Sequence, residues 1–258
     1  MKFEGRKHNT TWRLKSILEV LNLYRKSKFY KTLLFCMTIY PAVLLLSSKT
    51  MRTKIMREKD IILGNQLKEF IEIKYGLRFQ YLSGGYAIES LLNTFVKNRY
   101  DFFEINKKMN KNDIVYDIGA TIGEYGLKCA KKGARVFSFE LIKGPYEAMR
   151  KHIYLNGFEN QMTALNCRVD DKKNSIDSFV KKTKKAPTLI KMNLEGDEER
   201  VLNGAKKTLS KYKPHIILET HTIEQEKNNI NFLKSKGYKI VYCKERNYGV
   251  KDFLLACQ

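Results

Sequence analysis

Asp117, Gly119, Ala120 and Gly123 stand in the spacing Asp-x-Gly-Ala-x-x-Gly, directly after the apolar run Ile114-Val115-Tyr116 and ahead of a segment with helical pattern. Glycines at a strand-to-helix turn let the backbone approach a ligand closely, and a helix N-terminus offers N–H groups with no partner inside the helix. In the dinucleotide-binding version of this turn the first position is glycine, so that a pyrophosphate can rest on it. An acid there repels a pyrophosphate and suits the positively charged amino group of a methionine moiety. The turn is therefore predicted to hold S-adenosylmethionine rather than a nicotinamide dinucleotide. Glu140 closes the next predicted strand, Arg135–Phe139. It lies about twenty residues beyond the turn, where a carboxylate can accept hydrogen bonds from both ribose hydroxyls. The competing explanation is that Asp117 caps the following helix and Glu140 is a solvated strand end.

A second group of polar residues ends two later strands. In Ile190-Lys191-Met192-Asn193-Leu194-Glu195-Gly196, Asn193 can hydrogen-bond an acceptor but cannot act as a base. Glu195 can take a proton from a hydroxyl if its pKa is suitably tuned, or can simply be an acid favoured by a helix N-terminus ahead of Asp197 and Glu198. Glu219-Thr220-His221 ends the following strand, and His221 is the other candidate base, or a structural histidine. In doubly wound sheets ligands lie outside the carboxyl ends of the strands, so both groups fall in one cleft.

The elements that must position these residues read as alternating strands and helices from Lys111 onward. Strands are expected at Ile114–Tyr116, Arg135–Phe139, Met162–Val169, Thr188–Asn193 and His215–Glu219, and helices at Ser175–Lys182, Glu198–Ser210 and Glu224–Lys236. KIVYCKE and KDFLLACQ are candidate hairpin strands. This alternation predicts an α/β, Rossmann-like fold with a mostly parallel sheet and helices on both faces. Ahead of it, residues 61–110 read as a mainly helical lead-in, with IILGNQLKEFIEI and Ile88–Phe95 at helical spacing and Leu82-Ser83-Gly84-Gly85 as a turn. Residues 1–60 form a basic amino-terminal extension, leaving 111–258 as the principal domain.

Lys and Arg number 49 against 27 Asp and Glu, a formal charge of +22, which favours anionic partners such as nucleic acid, lipid headgroups or phosphorylated intermediates. Thr32–Ser48 contains no charged residue and is bracketed by Lys28, Lys31, Lys49 and Arg52. It is shorter than the roughly 20 residues needed to span a bilayer, and Pro41 would kink a helix. Three readings are open: a short or re-entrant anchor, an interfacial pair of helices on an anionic leaflet reached through residues 25–59, or a buried helix of the soluble body. The five cysteines have no C-x-x-C pair and no histidine at metal-ligand spacing. A reduced, cytoplasmic compartment and no metal site are expected.

The motifs together resemble the FkbM-type methyltransferase family. The matching blocks are Tyr116-Asp117-Ile118-Gly119-Ala120-x-x-Gly123-x-Tyr125, Val136-x-x-Phe139-Glu140 with Leu155-Asn156-Gly157 behind it, Ile176-Asp177-x-Phe179, Ile190-Lys191-x-x-x-Glu195-Gly196-x-Glu198-x-x-Val201-Leu202-x-Gly204-Ala205 and Pro214-x-Ile216-x-x-Glu219-x-His221. The resemblance implies a class I methyltransferase fold and methyl transfer from S-adenosylmethionine, usually to a hydroxyl on a glycan, glycolipid or secondary metabolite. By position it implies that Asp117, Gly119, Ala120, Gly123 and Glu140 hold the cofactor, that Asp170 meets the adenine amino group, and that Asn193, Glu195, Glu219 and His221 line the reaction cleft. The chain departs from the family at Asn193, where Asp is usual, and in a shorter segment between Val169 and Ile176. In the leading expectation Glu195 or His221 removes the acceptor proton, while Lys191 and the basic amino-terminal region recruit an anionic or lipid-linked acceptor. Two rivals stand beside it: tRNA methylation, with Asn193 orienting an exocyclic amine, and a cofactor-binding protein without turnover.

Overall fold

The computed structural model describes residues 49–80, 85–101, 108–245 and 253–257. Its strands are β1 (Ile114–Ile118), β2 (Arg135–Phe139), β3 (Met162–Leu165), β4 (Leu189–Met192), β5 (His215–Thr220), β6 (Ile240–Glu245) and β7 (Phe253–Cys257). They form one sheet in the order β3-β2-β1-β4-β5-β7-β6. The first five are mutually parallel, and β7 enters antiparallel between β5 and β6. The order reverses between β1 and β4, and that reversal opens the crevice in which ligands of such sheets bind.

The central strands are apolar on both faces because helices cover both. Val115, Val136, Leu189 and Ile217 face one core, while Tyr116, Phe137, Ile190, Ile216 and Leu218 face the other. This is the period-two alternation of a pleated strand, with both sets buried. Against the first core pack α1 (Lys49–Tyr75), α2 (Gly85–Leu91), α3 (Glu124–Lys131) and α4 (Lys143–Leu155). Against the second pack α5 (Ile176–Thr183), α6 (Glu198–Asn203), α7 (Lys206–Tyr212) and α8 (Ile223–Ser235). Phe179 of α5 meets Tyr116, Phe137 and Phe139 edge-on at 5.2–5.4 Å, a geometry that aligns ring edges with ring faces. The lead-in is part of the first core through Leu67, Ile71, Leu77, Phe79, Ile88 and Leu91. After α2 it makes a single π turn, Leu92–Val96, and delivers Arg99 and Tyr100 to the carboxyl end of β5.

The expected α/β alternation is present, with two corrections. The strand predicted over Met162–Val169 stops at Leu165. There the Asn166 side chain donates to the Glu140 and Leu141 carbonyls at 2.9 and 3.0 Å, turning the chain away from the sheet. The helix predicted over Glu198–Ser210 is broken into α6 and α7. Gly204 lies at the break, where a Cβ would come within 2.2 Å of the Asp170 carbonyl oxygen. The predicted hairpin strands pair as β6 and β7. Among the described residues no helix is long and apolar enough to cross a membrane. The Thr32–Ser48 segment and the turn at residues 82–84 lie outside the described residues.

Candidate active site

The turn after β1 is held rigidly by its own backbone. Gly119 and Ala120 both donate to the Phe139 carbonyl at 3.0 Å, and Gly123 donates to Ala120 at 2.8 Å. Thr121 donates to Glu140 Oε2 at 2.9 Å. The backbone N–H groups at these four positions are therefore engaged within the protein. Gly119 has φ 72°, and a side chain there would bring its Cβ within 2.0 Å of the Asn193 carbonyl oxygen. The glycine is thus required by the close approach of the β1 and β4 ends.

Glu140 is buried beside the turn and accepts a second bond, from Ile142 N to Oε1 at 2.7 Å. Burial raises its pKa, with the two N–H donors acting in the opposite direction. Each carboxylate oxygen has capacity for a further hydrogen bond, so Glu140 can brace the turn and still accept from ribose hydroxyls. Next to it Leu141 and Ile142 are 60% and 63% exposed. Two large apolar side chains left in solvent beside a carboxylate fit the adenine and ribose of S-adenosylmethionine. Asp170 sits in the loop before α5, where its Oδ1 accepts from Lys172 N and Asn174 N and closes a local turn.

Under the turn lies a charged cluster that corrects the expectation for Lys191. That residue is 1% exposed, and its ammonium lies 3.0 Å from Asp117 Oδ1 and 2.9 Å from the Gly119 carbonyl. It also sits 5.5 Å over the Tyr100 ring. Burial works against its charge, but Asp117, Tyr100 and Glu124 together hold the ammonium protonated well above the usual lysine range. Lys191 cannot recruit an anionic acceptor from solvent; it secures the turn from below. Asp117 in turn is fully buried, so its charge enters as half of a neutral pair rather than as a bare repeller of pyrophosphate. Glu124, the first residue of α3, is buried in the same cluster, and desolvation pushes its pKa to about 7.

The carboxyl ends of β4 and β5 carry the second group. Asn193 Nδ2 donates to Glu219 Oε2 at 2.9 Å. Glu219 is also held by Arg99, 3.0 Å from Oε1, and by the Tyr100 hydroxyl at 3.3 Å. Buried Glu219, braced by half-buried Asn193, thus fastens the lead-in over the end of β5 through Arg99 and Tyr100. His221 lies beside it between two acids: Nε2 is 3.5 Å from Glu198 Oε1 and Nδ1 is 4.0 Å from Glu195 Oε2. The Glu198 side chain is 1% exposed and that of Glu195 is 63% exposed. Glu198 also accepts from Leu194 N at 3.0 Å. Burial disfavours its ionised form, yet the His221 and backbone donors outweigh this and lower its pKa. Glu195 adopts φ 55°, a left-handed conformation that costs a residue with a Cβ about 1–2 kcal/mol. That turn brings its carboxylate to the imidazole.

The predicted residues therefore converge at one end of the sheet, with Asp170 on the loop that follows β3. Arg99, Tyr100 and Glu124 were not singled out by sequence, and Glu198 entered only as a helix-start acid and as part of the family's Lys-x-x-x-Glu-Gly-x-Glu block. Lys191 had a readable signal: it and Asp117 both interrupt apolar strands that must be adjacent, and they are register partners. Two opposite charges forced into one core are expected to pair.

The Methyltransferase FkbM domain matches residues 68–240, more than half of the chain. A search of curated proteins finds no match. Among solved structures, the METTL16 MTase domain is 12% identical with a TM-score of 0.55, covering 76% of this chain and 78% of its own. The Methyltransferase FkbM from Methylobacillus flagellatus KT is 20% identical with a TM-score of 0.49, covering 78% of this chain. The chain spans 60% of that protein's length.

Proposed function

Because this chain belongs to the FkbM methyltransferase family, we propose that it methylates a hydroxyl on a glycan, glycolipid or related small acceptor. S-adenosylmethionine, the cofactor of class I methyltransferases, supplies when bound a sulfonium methyl that passes to the acceptor oxygen and leaves a thioether. Glu140, Leu141 and Ile142 would hold its nucleoside end, and Gly119 and Gly123 would let it approach the turn. The observation that carries the hydroxyl reading is the seating of His221 between a buried and an exposed glutamate. Glu198 orients the imidazole through Nε2, and the Nδ1 side, which faces Glu195 at the rim, takes the acceptor proton. Glu195, at the open rim, accepts a hydrogen bond from the acceptor and holds its hydroxyl toward Nδ1. The rate then comes from positioning together with proton removal.

With Lys191 committed to Asp117 and an acid at the rim, the cleft suits a neutral acceptor better than an anionic one. The tRNA reading draws on the net charge but gains little from Asn193, whose amide is bonded to Glu219. A cytoplasmic site of action, with the amino-terminal region at a membrane, belongs to the same proposal.

The test is incorporation of a radiolabelled methyl group into lipid, polysaccharide and RNA fractions by the full chain. Label in a glycan or glycolipid fraction, abolished by Glu140→Ala, supports the proposal. Label confined to RNA, or none in any fraction, overturns it.

A further inference from the structure

The two ends of the sheet differ in charge. Two of the helices that start at the cleft begin with acids: Glu198 and Glu199 in α6, Glu224 and Glu226 in α8. At the opposite end three connections lead into β4, β5 and β6, and the stretches 180–190, 205–216 and 233–244 contain no Asp or Glu at all. They present Lys181, Lys182, Lys184, Lys185, Lys211 and Lys239, all exposed. Sheet order keeps these connections on one side of the molecule, because β4 and β5 are neighbours and β6 lies beyond β7.

Lysines in a last helical turn offset the unpaired carbonyls there, which accounts for Lys182 and Lys211. It does not account for Lys185 and Lys239 in the loops, nor for the missing acids. Lys184 takes a left-handed C-cap position at φ 59°, a place where glycine or asparagine costs less. Tyr212, 45% exposed, stands between Lys211 and Lys213, an amphipathic ring of the kind found at membrane interfaces.

We propose that this basal face docks on an anionic lipid bilayer, with the cleft directed away from the surface, toward a glycan or small acceptor in solution rather than a lipid of that bilayer. A strand of four to six residues at about 3.3 Å each separates the face from the cleft. Nucleic acid phosphates bound at the base would therefore lie far from the reacting atoms, which argues against a nucleic acid substrate as occupant. The chain also carries the uncharged Thr32–Ser48 stretch between basic residues, and stable membrane attachment commonly needs two weak signals, one apolar and one polybasic.

The experiment is sedimentation of the full-length chain with vesicles of phosphatidylcholine alone or with 30 mol% phosphatidylserine (about the level at which such attraction is felt). Wild type is compared with Lys184→Glu/Lys185→Glu/Lys211→Glu and with Lys143→Glu/Lys172→Glu/Lys173→Glu, three exposed lysines at the cleft end. Both triples change the net charge equally and share the amino-terminal segment. Thermal unfolding checks that each is folded. The basal triple is expected to lose at least about tenfold in partition to anionic vesicles, and the cleft-end triple less than about twofold. Equal losses in the two variants, no loss in either, or basal-dependent binding of RNA without vesicle binding would overturn the proposal.

Discussion

Over β1 and β2 the N–H groups of the cofactor turn are engaged and Glu140 braces the loop with both oxygens. Over β4 and β5 an exposed glutamate is held in a left-handed conformation beside a histidine. The first region is preorganised by backbone bonds and a neutral buried ion pair, so it can accept its ligand without rearranging. Each region holds one residue with a Cβ in the left-handed conformation, Thr121 at φ 51° and Glu195 at φ 55°; the second differs in keeping an exposed acid beside a histidine at the rim. The difference suggests that substitutions in the first region act mainly on folding and cofactor affinity, and substitutions in the second on turnover.

The largest effect is expected from breaking the ion pair under the turn. Lys191→Met leaves Asp117 buried and uncompensated and should cost about 3–5 kcal/mol in urea unfolding. Adding Asp117→Asn should recover much of that loss, whereas no recovery would mean that Lys191 acts through packing alone. Gly119→Ala comes next: the clash with the Asn193 carbonyl and the left-handed φ should cost about 3 kcal/mol, with S-adenosylhomocysteine binding lost in calorimetry. Unchanged binding would break the claim that the ends of β1 and β4 must touch.

Glu124 gives a pH signature to the same region. Its folded pKa of about 7 lies above the unfolded value of 4.5, so the folded state prefers the protonated acid. Its contribution is fully present below pH 4.5 and is lost as pH rises through about 7, on the order of 3 kcal/mol in all. Stability curves for the wild type should fall across that window relative to Glu124→Gln, and parallel curves would remove Glu124 from the cluster. The smallest effect tests the contrast from the other side. Glu195→Gly relieves the left-handed strain and should raise stability by about 0.5 kcal/mol while methyl transfer falls. A variant that is both more stable and equally active would show that the strain serves no purpose.

Much of the sheet was legible because parallel strands buried on both faces read as apolar runs, broken in Ile114–Ile118 only by Asp117 and in Leu189–Met192 only by Lys191. That Asp117, Gly119, Gly123 and Glu140 gather in one place was legible because one local turn and one strand end carry them. Lys191 was misjudged because a lysine reads as a surface group until its strand is known to lie against Asp117. Arg99 and Tyr100 reach Glu219 across more than a hundred residues of sequence, and no local pattern announces a contact made by a π turn in the lead-in. Glu198 reads as an ordinary helix-start acid; only the turn at Glu195 and Gly196 brings it under His221.

The division between a cofactor region and a reacting region is tested most directly by His221→Ala, with S-adenosylhomocysteine affinity and methyl transfer measured on the same preparation. The account predicts wild-type affinity together with transfer reduced by about a hundredfold or more. Lost affinity, or transfer at the wild-type rate, would contradict it.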